Sequence, residues 1–315
     1  MISPYVTGSL ALPDSTFRVS SGQYVGTTGA ATQVSFGFQP TFVIVKGIAG
    51  GAADDPYVCY LGMGGFGARG SAFFNPAAIP TNGPITLGGT GFALDSGNAA
   101  TNTGGATYQY LAIGGATGVD VWTGTYTGNG ADDRPIGSTA GADFVILIRR
   151  VTANGFSYRF SSEVGDASFN SSPAASPEIA NGIQGMPPIG GTYSFEVGTM
   201  AAVNGAARVI DWFAVKVPRS GGTCGSYVGT GVSGAIASAA PWTFNPLAVL
   251  VKGGTSSAPL LAIRDAEDSN AVLNNSTANV AGRVQSMPAG ELVLGSNVQA
   301  NQNGVTYHYL ALIDT

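Results

Sequence analysis

The sequence predicts an all-β protein made of three tandem antiparallel β-sandwich repeats, jelly-roll-like in layout. Three observations carry that expectation. The first is recurrence: Gly22-Gln23-Tyr24-Val25-Gly26-Thr27 returns as Gly124-Thr125-Tyr126-Thr127-Gly128-Asn129 and again as Gly225-Ser226-Tyr227-Val228-Gly229-Thr230. Each copy is followed by an apolar run, at Thr41 to Val45, Asp143 to Leu147 and Leu247 to Val251. Each closes on an aromatic strand, at Thr107 to Ile113, Val209 to Val215 and Thr306 to Leu312. Landmarks repeated in one order at one period mark a chain built by multiplying a supersecondary unit. The second observation is composition. Glycine supplies 48 of 315 residues, about twice its usual share of roughly 7%, and it clusters with Asn, Thr and Ser between short apolar runs. Those are strands joined by turns that need positive φ. The third is that no stretch carries the 3.6-residue apolar period of an amphipathic helix.

In order along the chain, the reading places an N-terminal segment at 1–21 and repeats at 22–117, 118–220 and 221–315. Within the first repeat, strands are expected at Tyr24 to Thr27, Gln33 to Phe38, Phe42 to Lys46, Tyr57 to Leu61, Ile85 to Leu87, Gly91 to Leu94 and Tyr108 to Ile113. Six or seven short strands with glycine-rich turns suit a two-layer sandwich. Phe42 to Val45 and Phe144 to Ile148 are apolar at every position instead of alternating. Both faces of those strands therefore need cover, one from the sandwich core and one from a neighbouring repeat or chain. Pro40 and Pro246 precede their apolar runs, where a fixed φ costs no ladder donor. The second repeat has Gly141-Ala142 there instead, and Ile148 where the others have Lys46 and Lys252. Six Asn-Gly steps, beginning at Asn82, Asn129, Asn154, Asn181, Asn204 and Asn303, predict tight hairpins.

Charge excludes one class of partner. The net charge is −5, with only three lysines and ten arginines spread along the chain, whereas nucleic-acid binding needs clustered basic residues to neutralise phosphates. No apolar stretch approaches the roughly 20 residues that span a bilayer, and Met1 to Phe17 lacks the layout of a signal peptide. Neither nucleic acid nor membrane insertion is expected. Cys59 and Cys224 stand at unmatched places in different repeats, so two unpaired buried thiols are expected in a reducing compartment.

Several fragments invite chemistry. Gly229-Thr230-Gly231-Val232-Ser233-Gly234 fits the dinucleotide pattern, but the aligned copies lack its third glycine and no acid follows at the right distance to hold a ribose, so it reads as a hairpin turn. Gly65 to Gly70 matches the same pattern by accident of composition. His308 is the only histidine, which leaves no multi-histidine metal site. Its aligned partners are Gln109 and Asp211. A position that accepts Gln, Asp or His serves as a hydrogen-bonding side chain among apolar neighbours, and the sharper reading is that the three line a surface where the repeats meet. Neither version makes general-base catalysis a shared function. Asp54-Asp55, Asp132-Asp133 and the group Asp265, Glu267, Asp268 with Asn270 read as solvated loop acids. The last group lacks the ligand spacing of a calcium loop, and paired acids at glycosidase separation remain the enzymatic alternative. No catalytic, cofactor-binding or metal residue is assigned.

The segment Gly124 to Gly130, the apolar strands ending in Lys46 and Lys252, and the Asn-x-x-Gly or Asn-Gly step before a Tyr-x-Tyr-Leu-Ala strand resemble a repeat of unassigned function found in bacteriophage virion proteins, often tail fibres and related appendages. The second repeat departs from the pattern, with Ile210-Asp211-Trp212-Phe213-Ala214 in place of the aromatic strand. The resemblance implies a non-enzymatic virion component, made in the host cytoplasm. Its implied partners are other virion proteins, further copies of itself on the particle and a host surface polysaccharide or receptor. A tail-fibre or appendage role in host attachment is expected first, a capsid cement or decoration role second, and a polysaccharide-cleaving enzyme using loop carboxylates is the reading from another class. Ile2, Tyr5, Val6, Leu10, Leu12 and Phe17, outside every repeat, are the candidate particle-attachment residues.

Overall fold

A computed structural model describes residues 16–49, 57–60, 72–73, 85–96, 99–115, 119–137, 141–149, 156–170, 178–187, 193–218, 220–235, 242–253, 259–264, 270–273 and 281–313. Within these residues the chain is all-β, interrupted by three one-turn helices. The first third holds β1 (Arg18–Val25), β2 (Thr32–Ser35), β3 (Phe42–Ala49), β4 (Tyr57–Tyr60), β5 (Ala72–Phe73), β6 (Ile85–Gly88), β7 (Gly91–Leu94), α1 (Ala99–Asn102) and β8 (Thr107–Gly114). The second holds β9 (Val121–Thr127), β10 (Arg134–Ile136), β11 (Phe144–Arg149), β12 (Phe156–Phe160), β13 (Ala167–Asn170), β14 (Glu178–Ala180), β15 (Ile183–Gly185), β16 (Phe195–Val197), α2 (Ala201–Asn204) and β17 (Val209–Val215). The last holds β18 (Gly222–Val228), β19 (Gly234–Ala235), β20 (Ala248–Gly253), β21 (Leu260–Ile263), β22 (Ala271–Val272), β23 (Val284–Ser286), β24 (Val293–Leu294), α3 (Val298–Asn301) and β25 (Thr306–Leu312).

These strands make three large antiparallel sheets, ordered β1-β8-β3-β4-β5, β9-β17-β11-β12-β13-β14 and β18-β25-β20-β21-β22, and three small ones, ordered β2-β7-β6, β10-β16-β15 and β19-β24-β23. The strand order is the same each time, and the second large sheet adds β14 at one edge. Register matches too. Tyr110, Trp212 and Tyr309 each lie across from a glycine of the recurring motif, Gly22, Gly124 and Gly225 respectively. A Cβ on Gly124 would stand 2.8 Å from the Trp212 ring, and one on Gly225 would stand 2.5 Å from the Tyr309 hydroxyl. The glycine is there because the aromatic ring of the next strand occupies the space of its side chain.

Alternation along the central strands divides the apolar residues between two cores. Val43 and Val45 of β3, with Tyr108, Tyr110 and Ala112 of β8, pack against Ile85, Leu87, Phe92 and Leu94 of the first small sheet. Equivalent clusters join the second and third large sheets to their small sheets. The opposite faces of all three large sheets bury Phe42 and Ile44, Phe144, Ile146 and Phe213, and Leu250, Leu310 and Leu312 in one common cluster. Ile44, Ile146 and Leu250 hold matching register positions and line the same small apolar void. Phe42 stacks on Phe213 at a centroid distance of 4.3 Å, tying the first sheet to the second. The Ser21 hydroxyl donates to the Leu247 carbonyl at 3.3 Å, tying the first to the third.

A second device recurs at the end of each large sheet. Asn102, Asn204 and Asn301 end the three helices and are buried. Their Oδ1 atoms accept the backbone N–H of Thr27 at 2.8 Å, Asn129 at 3.1 Å and Thr230 at 2.7 Å. Their Nδ2 atoms donate to the carbonyls of Ala30, Ala131 and Val232 at 2.8, 2.7 and 2.8 Å. The residue before each of those amide donors is Gly26, Gly128 or Gly229, where a Cβ would lie 2.2, 2.2 or 2.3 Å from the carbonyl that follows the asparagine. Tyr24, Tyr126 and Tyr227 complete the latch by donating to helix carbonyls of Thr101, Val203 and Ala300. The recurring Tyr-x-Gly is thus half of a clasp whose other half lies some seventy residues away.

Three expectations need correction. The Asn-Gly steps at Asn129, Asn181, Asn204 and Asn303 close no hairpin: Asn129 lies between β9 and β10 and Asn181 between β14 and β15, strands of different sheets, Asn204 ends α2, and Asn303 lies between α3 and β25. The left-handed backbone they supply, φ 52° at Asn181 and 73° at Gly130, serves as well to cross between layers as to reverse within one. Asn82 and Asn154 lie outside the described residues. The N-terminal boundary at 21 is too late, because Arg18 to Ser21 already pair with β8. Phe17 is 1% exposed within the common cluster and its ring meets Gly221, so it packs on this chain and offers no surface to another subunit. The other attachment candidates lie outside the described residues.

Two outcomes are expected. Asn301→Ala leaves the Thr230 amide without its acceptor and should lower unfolding free energy by about 1–3 kcal/mol, read by urea denaturation; an unchanged midpoint would contradict the clasp. Because one cluster spans the three large sheets, calorimetry should show one cooperative transition. Phe213→Ala should cost about 3–5 kcal/mol and move that single transition as a whole, whereas separate transitions for the thirds of the chain would contradict a common core.

Candidate functional site

Gln109, Asp211 and His308 occupy the same position on β8, β17 and β25, across from Lys46, Ile148 and Lys252 on the neighbouring strands. Period-two alternation puts each on the face that carries Leu111, Phe213 or Leu310, the face that enters the common cluster. Gln109 and Asp211 are fully buried. Asp211 Oδ1 accepts the Thr125 hydroxyl across the strand pair at 2.5 Å. His308 reaches the second sheet: its Nδ1 lies 2.9 Å from Ser162 Oγ and its ring packs near Phe160 and Phe169.

Around His308 the second and third large sheets leave a cleft of about 650 Å³. Ser162, Glu163 and Glu178 line it from one side, and Ser226, Gln302 and His308 from the other. Behind it, Lys252 is buried with Nζ 4.1 Å from the centre of the Phe169 ring and donates to the Gly253 carbonyl at 3.1 Å. Arg159 holds the loop after β12 by donating to the carbonyls of Glu163 and Gly165 at 3.1 and 2.9 Å, and reaches Ile183 of the small sheet at 2.8 Å.

The electrostatics follow from burial. Glu163 is 6% exposed, and desolvation raises its carboxyl to about 8 although the Phe160 N–H, Arg159 and Lys252 pull the other way. Lys252 is lowered to about 7, mainly by desolvation, with Glu163 and Glu178 opposing the shift. His308 is lowered to about 4 by desolvation and then by the positive charges of Arg159 and Lys252. At neutral pH the imidazole is therefore uncharged. The Ser162 hydroxyl lies 2.8 Å from the Gly225 carbonyl and 2.9 Å from the His308 Nδ1, and the ring tautomer decides which of the pair donates to the other. Glu163 Oε1 accepts the Phe160 N–H at 2.6 Å, while Oε2 is buried without a hydrogen-bond partner.

The other sequence candidates fall elsewhere. Asp132 and Asp133 are exposed, and Asp132 accepts the Gln184 amide at 2.9 Å. Asp54, Asp55, Asp265, Glu267 and Asp268 lie outside the described residues, as do Gly65 to Gly70. Asn270 is fully buried and spends both ends of its amide on the Val284 backbone, at 2.9 and 2.7 Å. Among the described residues, no three His, Cys, Asp or Glu side chains gather as a metal would require. The dinucleotide-like Gly229 to Gly234 crosses from β18 to β19 instead of closing a hairpin. Its amides at Thr230 and Gly231 face Asn301 Oδ1, which takes the place a phosphate oxygen would need. Cys224 is a free thiol whose Sγ approaches the Asp143 carbonyl at 3.4 Å, and burial raises its pKa. The side chain of Cys59 is outside the described set.

Glu163 and Ser162 were missed in the sequence. Copy comparison offers a signal: counted along the sequence from the strand pairing, Glu163 corresponds to Met63 and Ala266, both outside the described residues. No protein-family profile matches this chain, and no curated protein matches it.

The histidine yields a pH prediction. Native His308 stays neutral down to about pH 4, whereas an ordinary imidazole in the unfolded chain takes up its proton near 6.5. The unfolded state binds more protons in that window, so wild-type stability falls as pH drops from about 6.5 to about 4. His308→Gln should fold and should lack that component, so its urea midpoint should gain on wild type between pH 7.5 and pH 4.5. Parallel pH profiles would show that His308 is not held neutral.

Proposed function

We propose that this chain is a non-enzymatic structural protein of a bacteriophage particle, a tail-fibre or other appendage component, built as three tandem sandwich units packed as a trimer of separate chains would pack. The observation that carries the reading is the common cluster in which matching residues of three like sheets, Ile44, Ile146 and Leu250, converge. Internal repetition around one core gives a rigid body with three related sets of loops, a form suited to presentation and assembly. The short recurring motif supplies the link to virion proteins. Its Gly, Tyr and Asn positions are all spent on the clasp and on cross-strand packing, as scaffold residues would be.

The same convergence supports a second reading, a capsid decoration protein whose three units sit over a local three-fold of the shell. Location on the particle separates the two. Density for the chain should appear on the tail or its appendages in a map of the intact particle. Density over capsid three-folds would replace the first reading with the second, and absence from purified particles would overturn both. A variant lacking residues 1–15, which keeps the buried Phe17, should remain folded in solution and fail to join the particle if the preceding segment is the anchor. Normal incorporation would place the anchor in the sandwich units.

A further inference from the structure

We propose that the cleft between the second and third large sheets is a binding site for a neutral saccharide. Its biological sense rests on the attachment reading; its geometry does not. The volume of about 650 Å³ lies inside the usual span for small-molecule sites, roughly 300–1,000 Å³. Its described lining mixes the hydroxyls of Ser162, Ser226 and Thr306, the Gln302 amide and the carboxyls of Glu163 and Glu178 with apolar surface from Val305 and Phe169. No lysine or arginine is among the described lining residues; Arg159 and Lys252 stand behind the wall, close enough to act on His308.

Glu163 narrows the chemistry further. Its side chain is more than nine-tenths buried and lines the cleft, and its Oε2 lacks a hydrogen-bond partner. A ligand hydroxyl donates or accepts as needed, so it can pair with a carboxyl of the wall whether or not that acid is ionised. An ammonium or a metal ion would need the ionised form, which burial opposes, and a metal would need more ligands than the described residues collect. Hydroxyls spaced along a polyol also suit the alternation of donors and acceptors on the two walls.

The lining also differs from copy to copy. β14, which carries Glu178, has no counterpart in the other large sheets among the described residues. Counted along the sequence from the strand pairing, Glu163 corresponds to Met63 and Ala266 and Ser162 to Gly62 and Asp265, all four outside the described residues. His308 stands where they have Gln109 and Asp211. Burying an acid with one unpartnered oxygen is a cost that the sheet order alone does not explain.

The test uses the full chain and saturation-transfer NMR at pH 7, with maltotriose, cellotriose and the trimer of N-acetylglucosamine as neutral probes, and spermidine and inorganic phosphate as charged ones. At least one neutral trisaccharide should receive saturation and the charged probes should not. Glu163→Ala should weaken that binding at least tenfold. Because Glu163 also accepts the Phe160 N–H, the deciding variant is Ser226→Trp, which starts from an exposed strand position, fills the cleft and should abolish binding with the melting temperature kept. Failure of all three sugars, undiminished binding by Ser226→Trp, or preference for spermidine or phosphate would overturn the proposal. New reducing ends during incubation would overturn it as a site of binding alone. A chain that binds no sugar yet sits on the particle loses this site and keeps the attachment reading; one that binds sugar and is absent from particles does the reverse.

Discussion

The structure depends on one constraint: the central strands of each large sheet are apolar on both faces, so a two-layer sandwich can satisfy only half of their burial. Val43 and Val45 face the first small sheet while Phe42 and Ile44 face away from it. The same split holds for Val145 and Leu147 against Phe144 and Ile146, and for Val249 and Val251 against Ala248 and Leu250. Burying a large apolar side chain is worth roughly 1.5–3 kcal/mol before ordering costs, and each sheet presents several on its second face. Packing the three second faces together removes them from water at once.

That closure sets the terms for polar groups on the same faces. Gln109, Asp211, Lys46 and Lys252 end apolar rows that run into the common cluster, and all four are fully buried. A buried polar group is tolerable only when paired, and Asp211 shows how, through the neighbouring Thr125. Lys252 donates to the Gly253 carbonyl and also lies over the Phe169 ring of the adjoining sheet, where its charged form gains from the aromatic face. These are the positions at which the copies differ, because each must answer a different neighbour across the joint. The divergence of the second copy, with Ile148 in place of lysine and an added β14, belongs to that local fitting.

The clasp of Asn102, Asn204 and Asn301 is of another kind, identical in each copy because its partners lie in the same copy. Its economy is geometric. One side-chain amide satisfies a donor and an acceptor of the crossing between sheets, and the glycine beside it lets the two backbones approach within a distance no Cβ allows. The motif that looked like a phosphate loop in the third copy is the same crossing with its amides already taken.

Much of this was legible in the sequence. The strands around Phe42, Phe92 and Tyr108 could be placed from short apolar runs between turn residues, and the second buried face of Phe42 to Val45 from its missing alternation. Both depend only on local period and on the rule that apolar surface leaves water. The register of Gly22 against Tyr110 was implicit in the copies, since both recur at fixed places. What only tertiary structure decided is where distant segments meet. Nothing local distinguishes Asn204 as a clasp from Asn129 as its partner, or an Asn-Gly that reverses a strand from one that changes sheet, because the same left-handed backbone serves both. Glu163 is likewise one loop acid among many until β12 and β25 bring it beside Ser226 and His308 at the cleft, where burial raises its carboxyl pKa. Local chemistry determined the strands; the charges that act on Lys252 and His308 come from residues more than fifty positions away along the chain, a separation that no local pattern encodes, whereas Glu163 meets Phe160 and Arg159 of its own hairpin and only Lys252 from a distant strand.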